Sequence, residues 1–242
     1  MPLGLFRDRN FSISNFATST MSFTATAMGF PLMLYLQLVR GMSPTTAALT
    51  FVPMAVVSIV MAPIVGRYTD KVHPRILTGF GFAITALAVW WVSLEVRPGS
   101  ELWQILAPMA LLGFGMAFIW APLAATATRN LPPQFAGAGS GVYNATRQVG
   151  AVLGSAGIAV LIDSRLAAEG LGSTGSPESA GSGGLPSQLF EPFSTAMSQA
   201  LLLPVAVLVL GFLACLGFEQ MRHISHPGQV GAEPETRAAT TA

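Results

Sequence analysis

Four groups of side chains have types and spacings that could do chemistry. The first is the run Gly66-Arg67-Tyr68-Thr69-Asp70-Lys71-Val72-His73-Pro74-Arg75. Gly66 permits a tight exit from one helix. Asp70 precedes the next helix, whose first turn presents unpaired N–H groups and positive partial charge. Lys71 and Arg75 can pair with Asp70 or with phosphate groups. The second group is Asn144, Arg147 and Gln148, followed by Gly150, Gly154 and Gly157 at spacings of four and three. Such glycines share one helix face and let another backbone come close. The third is Ser12, Asn15, Ser19, Ser22 and Thr26, a polar stripe at helical spacing, with Phe16, Phe23 and Phe30 on a second line. The fourth is Met109, Gly113, Met116 and Trp120, a soft, polarisable face that suits either variable apolar ligands or ordinary packing.

The elements that must position these groups follow from where charge is missing. The chain has 242 residues, 52% of them hydrophobic and 10% charged, with a mean hydropathy of +0.58. A soluble domain is roughly 25% charged. Asn10–Val39, Gly41–Gly66, Ile76–Leu94, Leu102–Thr128 and Pro192–Phe218 carry no charge at all. Each approaches or exceeds the roughly 20 residues that cross a hydrocarbon core as a helix. A sixth run, Gly137–Ile162, is interrupted only by Arg147. The expected architecture is therefore all-α and integral to a membrane, with six spans at about 11–38, 45–66, 76–95, 102–128, 138–162 and 195–218. Residues 1–10 read as a cytoplasmic linker, 163–194 as an extracytoplasmic loop rich in Gly, Ser and Pro, and 219–242 as a disordered cytoplasmic tail. The first apolar run is too long for the core of a signal peptide and reads as a true span.

Six spans put both termini on one side. With that side cytoplasmic, Arg7, Arg9, Arg67, Lys71, Arg75, Arg129, Arg147, Arg222 and Arg237 fall inside, and Arg40, Arg97 and Arg165 outside. Nine against three is the asymmetry of the positive-inside rule. Trp90, Trp91 and Trp103 then gather at the outer interface, where aromatic belts form.

The same arithmetic excludes several classes. A net charge of +1 offers no basic patch for nucleic acid, and one cysteine cannot make an intrachain disulfide. No H-E-x-x-H occurs, and His73, His223 and His226 all fall in cytoplasmic segments. No acidic residue lies within a span; Glu95 and Asp163 sit at outer ends. The chain reads as neither an enzyme nor a holder of metal or cofactor. Within a membrane, the stripe on the first span either hydrogen-bonds a neighbouring helix or borders water. Arg147 either serves a structural or gating role near the cytoplasmic end or snorkels outward. The 66–75 run remains open to a plain reading as a basic loop.

That run resembles the G-x-x-x-D-R-x-G-R-K loop of the major facilitator superfamily. Gly66, Asp70, Lys71 and Arg75 match, while His73 replaces its second glycine and Pro74 a basic residue. Tyr35-Leu36-Gln37, Gly41, Ser43-Pro44, Ala47 and Pro53 look like the first outer loop of the second half of a 14-span drug:proton antiporter-2 transporter. Pro132-Pro133, Ala136-Gly137, Ser140-Gly141, Asn144, Arg147-Gln148, Gly150 and Gly154 look like that family's penultimate helix. Leu5–Phe11 looks like the linker entering its ninth span. The resemblance runs from about Leu3 to Arg222.

It implies six helices forming one half, a 3+3 inverted repeat, of a major facilitator fold. It also implies one wall of the substrate cavity of a proton-driven multidrug efflux antiporter in the cell membrane. On that reading, Asn15, Ser19, Ser22, Thr26, Met116 and Trp120 are cavity candidates for a hydrophobic small molecule. Gly66, Asp70, Lys71 and Arg75 form the gating loop, and Asn144, Arg147, Gln148, Gly150 and Gly154 a structural or gating helix. The expected partners are the lipid bilayer and either a first-half transporter domain, missing or separately encoded, or a second copy. The family's membrane-embedded carboxylates for proton coupling belong chiefly to the other half. A non-transporting scaffold, or a truncated fragment without independent activity, is the alternative.

Overall fold

The computed structural model describes residues 3–69, 71–129, 133–171 and 185–218. All regular structure among them is helical. Six segments are long and apolar enough to cross a membrane: Arg9–Val39, Pro44–Thr69, Pro74–Glu95, Leu102–Ala127, Ala136–Ala168 and Ser187–Cys215.

Local chemistry sets their ends. Helix α1 (Arg9–Leu34) follows a short 3-10 turn at Leu3–Arg7, and Asp8 caps it by accepting from the Phe11 amide at 2.7 Å. A π turn, Tyr35–Val39, carries α1 to Gly41, whose φ of 63° reverses the chain. Ser43 then caps α2 (Pro44–Leu49), and α3 (Val52–Thr69) completes the second span. The break between α2 and α3 follows from Pro53, whose missing N–H would have met the carbonyl of Leu49. The sixth span breaks in the same way. Pro204 cannot donate to Ala200, so the span divides into α7 (Phe190–Ala200) and α8 (Leu202–Cys215). Between them lie α4 (Pro74–Glu95), α5 (Leu102–Arg129) and α6 (Ala136–Ala168). The His73 imidazole caps α4, accepting from the Arg75 amide at 3.1 Å, with Pro74 at the first helical position.

Three sequence readings are corrected. Gly66 does not end α3, which runs on to Thr69, and the Thr69 hydroxyl bonds back to the Val65 carbonyl at 3.0 Å. The fifth span, α6, continues past 162 to Ala168, because the charges of Asp163 and Arg165 mark a polar boundary and not a helix stop. The stop is Gly170, at φ 73°, after which the Leu171 amide closes on the Leu166 carbonyl at 2.8 Å. The last span begins with a 3-10 turn at Ser187 and not at 195, since Phe190, Phe193 and Met197 give its first turns an apolar face. Residues 163–171 and 185–194 of the expected outer loop are thus largely helical, while 172–184, Asp70 and the tail 219–242 lie outside the described residues.

The helices pack in two rows. The front row runs α3–α5–α1–α6; behind it α4 packs on α5, α8 packs on α1, and α4 and α8 touch each other. Exchanging α1, α3 and α4 for α5, α6 and α8 maps this pattern of neighbours onto itself. That is the signature of an inverted three-plus-three repeat. Arg9, Thr69, Pro74, Arg129, Ala136 and Cys215 share one end of the bundle, here the basal end, and the opposite end is the distal one.

Lipid removes most of the hydrophobic drive for helix association, so close van der Waals packing and hydrogen bonds must hold the bundle. Glycines provide the approach. A methyl group on Gly113 would strike the Met54 backbone of α3, and one on Gly150 the Ser19 carbonyl of α1. Met21, Leu32, Tyr35, Phe82, Ile105, Met109, Leu112, Ile119 and Phe193 form the fully buried centre. At the distal end the Tyr35 hydroxyl donates to the Arg97 carbonyl at 2.6 Å, Arg40 donates to the Ser100 carbonyl, and Ser198 donates to the Ser93 carbonyl at 2.6 Å. Trp90, Trp91 and Trp103 are exposed there, and the Trp91 indole donates to Glu95 at 3.1 Å.

Candidate functional site

The polar side of α1 divides by neighbour. Thr20 and Thr24 face α8, where Thr20 meets Gly211 and Thr24 reaches the Pro204 carbonyl at 3.5 Å. Ser19, Phe23 and Thr26 face α6. The Thr26 hydroxyl lies 3.0 Å from the Ala151 carbonyl, 3.0 Å from Phe23 O and 3.2 Å from Ser22 O. Asn15 and Ser22, seven residues apart, fall beyond the Ser19–Thr26 line on the side away from Thr20, so they point toward the seam between α6 and α5. Both are buried: Asn15 is 1% exposed and Ser22 3%. The Asn15 amide donates to the Phe11 carbonyl at 2.8 Å, which leaves its Oδ1 without a partner. Ser22 Oγ and Ser14 Oγ on α1 are also buried and unpartnered, and Thr18 Oγ1 and Tyr143 Oη of α6 are buried with each other as neighbours.

A bridge crosses this seam. The Arg147 guanidinium of α6 lies over the Trp120 ring of α5, 4.7 Å from its centroid. This is cation–π distance. Gly150 and Gly154 lock α6 against α1 in a parallel register, with Gly150 at Ser19 and Gly154 at Phe23. One turn toward the basal end, Arg147 comes level with Asn15. Tyr143, four residues before Arg147 on α6, has the Thr18 hydroxyl and the Arg147 charge as neighbours. Arg147 and Trp120 thus meet across the seam, with Asn15 of α1 level with Arg147 and Ser22 two turns further toward the distal end.

The other expected residues lie elsewhere. Met116 is 8% exposed and belongs to the apolar core, as does Met109, so of that face only half-buried Trp120 reaches the surface. Asn144 and Gln148 are exposed on α6, and Asn144 bonds back to the Ser140 carbonyl at 3.0 Å. Lys71 and Arg75 are exposed at the basal end, far along the bundle from the seam; Gly66 is exposed with open space around it. Tyr143 was discoverable in the sequence as a polar-tipped aromatic four residues before Arg147, one helical turn away. Among the described residues no group of His, Cys, Asp or Glu is placed to hold a metal ion.

Six apolar helices in a two-row bundle with an internal inverted repeat define a multi-pass membrane protein. The family model of the Major Facilitator Superfamily matches residues 2–155, and the chain belongs to that superfamily. The chain is 46% identical over 223 residues to an uncharacterized MFS-type transporter, Rv1250, of Mycobacterium tuberculosis, covering 89% of this chain and 38% of that protein. It is 41% identical to the cephamycin export protein CmcT of Amycolatopsis lactamdurans over 61% of this chain and 29% of that one. It is 30% identical to the multidrug export protein EmrB of Escherichia coli K12, over 63% of this chain and 30% of that one. The chain thus spans roughly a third of the length of these curated relatives.

Proposed function

We propose that these residues form the C-terminal half of a proton-driven efflux antiporter of the drug:proton antiporter-2 type, and that the front row is one wall of its substrate cavity. The observation that carries this reading is the α5–α6 seam. There a basic side chain, an indole and buried polar atoms of α1 meet on the face that the back row leaves uncovered. Similarity to proteins named for cephamycin and multidrug export supports the direction and class of transport. The excess of Lys and Arg at the basal end supports a cytoplasmic placement of that end in the cell membrane. The other half, as a preceding domain or a separate chain, supplies the facing wall and the carboxylates that carry protons; a second copy would supply the wall without them. The 66–75 loop, Asp70 included, acts as a latch at the basal end, and the Asn144–Gly154 stretch of α6 as the helix that shifts with it.

The test is export of a fluorescent dye against a proton gradient, with the chain expressed alone and with a candidate first half. The reading predicts proton-coupled export only when a first half is present; export by the chain alone, without proton coupling, would mark a second copy as the facing wall. It also predicts loss of export when Ser19, Ser22 and Trp120 are replaced together by Ala or Leu. Continued export by that triple variant removes the cavity assignment, and absence of export in every pairing favours a scaffold.

A further inference from the structure

The charge at the seam is of an unusual kind for its depth. Arg147 stands eleven residues inside α6, about 16 Å along its axis. Asp163, the nearest acidic residue on the same helix, is sixteen residues away, or about 24 Å. Glu95 and Glu101 belong to the distal end, and Asp8 caps α1 at the basal end. Among the described residues, no carboxylate lies within the middle of any span. The Arg147 side chain is exposed on the front row, and its recorded contact is the Trp120 ring. A guanidinium stacked by its face keeps its in-plane N–H groups directed outward, in the fork that matches a planar oxyanion. Trp120 thereby orients the fork without neutralising it. An Arg at membrane depth without an anion is costly and marks a functional position. Level with it on α1, Asn15 Oδ1 is buried without a partner, an acceptor awaiting a ligand donor or water.

We propose that the Arg147–Trp120 bridge, with Asn15 behind it, is a subsite for an organic anion of the carboxylate type. The oxyanion takes the free edge of the guanidinium, and donor groups of the same molecule meet Asn15 Oδ1. This deepens the transporter reading and rests on it: the wall contributed by this half selects negative charge, not the lipophilic cations that a carboxylate-lined wall would attract.

The experiment uses the chain in phosphatidylcholine nanodiscs, where no headgroup adds net negative charge. Trp90, Trp91 and Trp103 are replaced by Phe so that Trp120 is the sole indole. Its quenching is titrated with 4-nitrobenzoate, neutral 4-nitrobenzamide and cationic 4-nitrobenzylammonium. The benzoate is expected to bind tightest. Arg147→Gln should weaken it about tenfold, as loss of a charge-assisted pair does, while moving the amide less than about twofold. Arg147→Lys, which keeps the charge but not the fork, should fall between. Because Arg147 is exposed, these variants keep the fold, which inaccessibility of the buried Cys215 thiol confirms. Equal or tighter binding of the ammonium, or an equal loss of all three probes in Arg147→Gln, overturns the proposal. Failure of the transporter reading shows separately, as absence of dye export in the paired system.

Discussion

Gly150 of α6 rests on the Ser19 carbonyl of α1 with no room for a methyl group between them. The obstruction is backbone, so a side chain at 150 cannot be accommodated by a rotamer change; the helices themselves must part. Gly154 repeats the contact one turn on, against the Phe23 carbonyl and the Thr26 hydroxyl.

Gly150→Ala and Gly154→Ala should each destabilise the bundle by about 1–3 kcal/mol, the usual cost of overpacking. Gly141→Ala, on the same helix with open space around it, should be neutral or stabilise by up to about 1 kcal/mol through helix propensity. A thermal melt read by a thiol-reactive dye checks this, since the chain's one cysteine is buried until the fold opens. Equal melts for Gly141→Ala and Gly150→Ala would contradict the packing.

The hydroxyls of α1 should separate into two kinds. Thr26→Val removes a contact to the Ala151 carbonyl and should cost about 0.5–1.5 kcal/mol. Ser14→Ala removes a buried hydroxyl that has no partner, and should be neutral or stabilising. The same melt ranks the two. A large loss from Ser14→Ala would mean that its hydroxyl is satisfied by ordered water.

At the distal end, Tyr35→Phe deletes the hydrogen bond to the Arg97 carbonyl. A loss of about 1 kcal/mol is expected, with faster amide hydrogen exchange in residues 96–101, whose turn that bond holds. Unchanged exchange there would show that Arg40, through the Ser100 carbonyl, suffices alone.

The proposed orientation has a direct check. In a Cys215→Ser background, Arg97→Cys at the distal end and Lys71→Cys at the basal end are labelled in intact cells with a membrane-impermeant maleimide. Labelling of position 97 alone is the expected result. Labelling of position 71 alone inverts the topology.

Much of the fold could be read from the positions of the charges. Runs without charge mark spans because lipid tolerates few charges, and the glycines at 150 and 154 mark a helix contact because their spacing puts them on one face. Helix ends were harder. Asp163 and Arg165 signal a change of solvent, whereas the helix itself stops where Gly170 takes a positive φ. Gly66 looked like a stop and is not one, since glycine ends a helix only where the backbone turns, and here nothing turns it. For the site, residue types were legible and partnerships were not. That Thr26 reaches α6 while Ser14 and Ser22 are left unpartnered depends on the rotation of α1 between three neighbours. The meeting of Arg147 with Trp120 depends on the angle between α5 and α6, which no single-helix periodicity records.

The central position of α1 bears on how the protein is made. Its mean hydropathy as a span, 1.3, is the lowest of the six, against 2.3 for the span that follows it. A segment so rich in hydroxyls and amides partitions poorly into lipid by itself, and the bonds by which Thr24 and Thr26 reach another helix go to α8 and α6, which emerge from the ribosome much later. Stable insertion of α1 must therefore await the C-terminal helices. Chains shortened before Ala136 should leave it loosely held at the translocon, as a glycosylation reporter placed after Val39 would reveal.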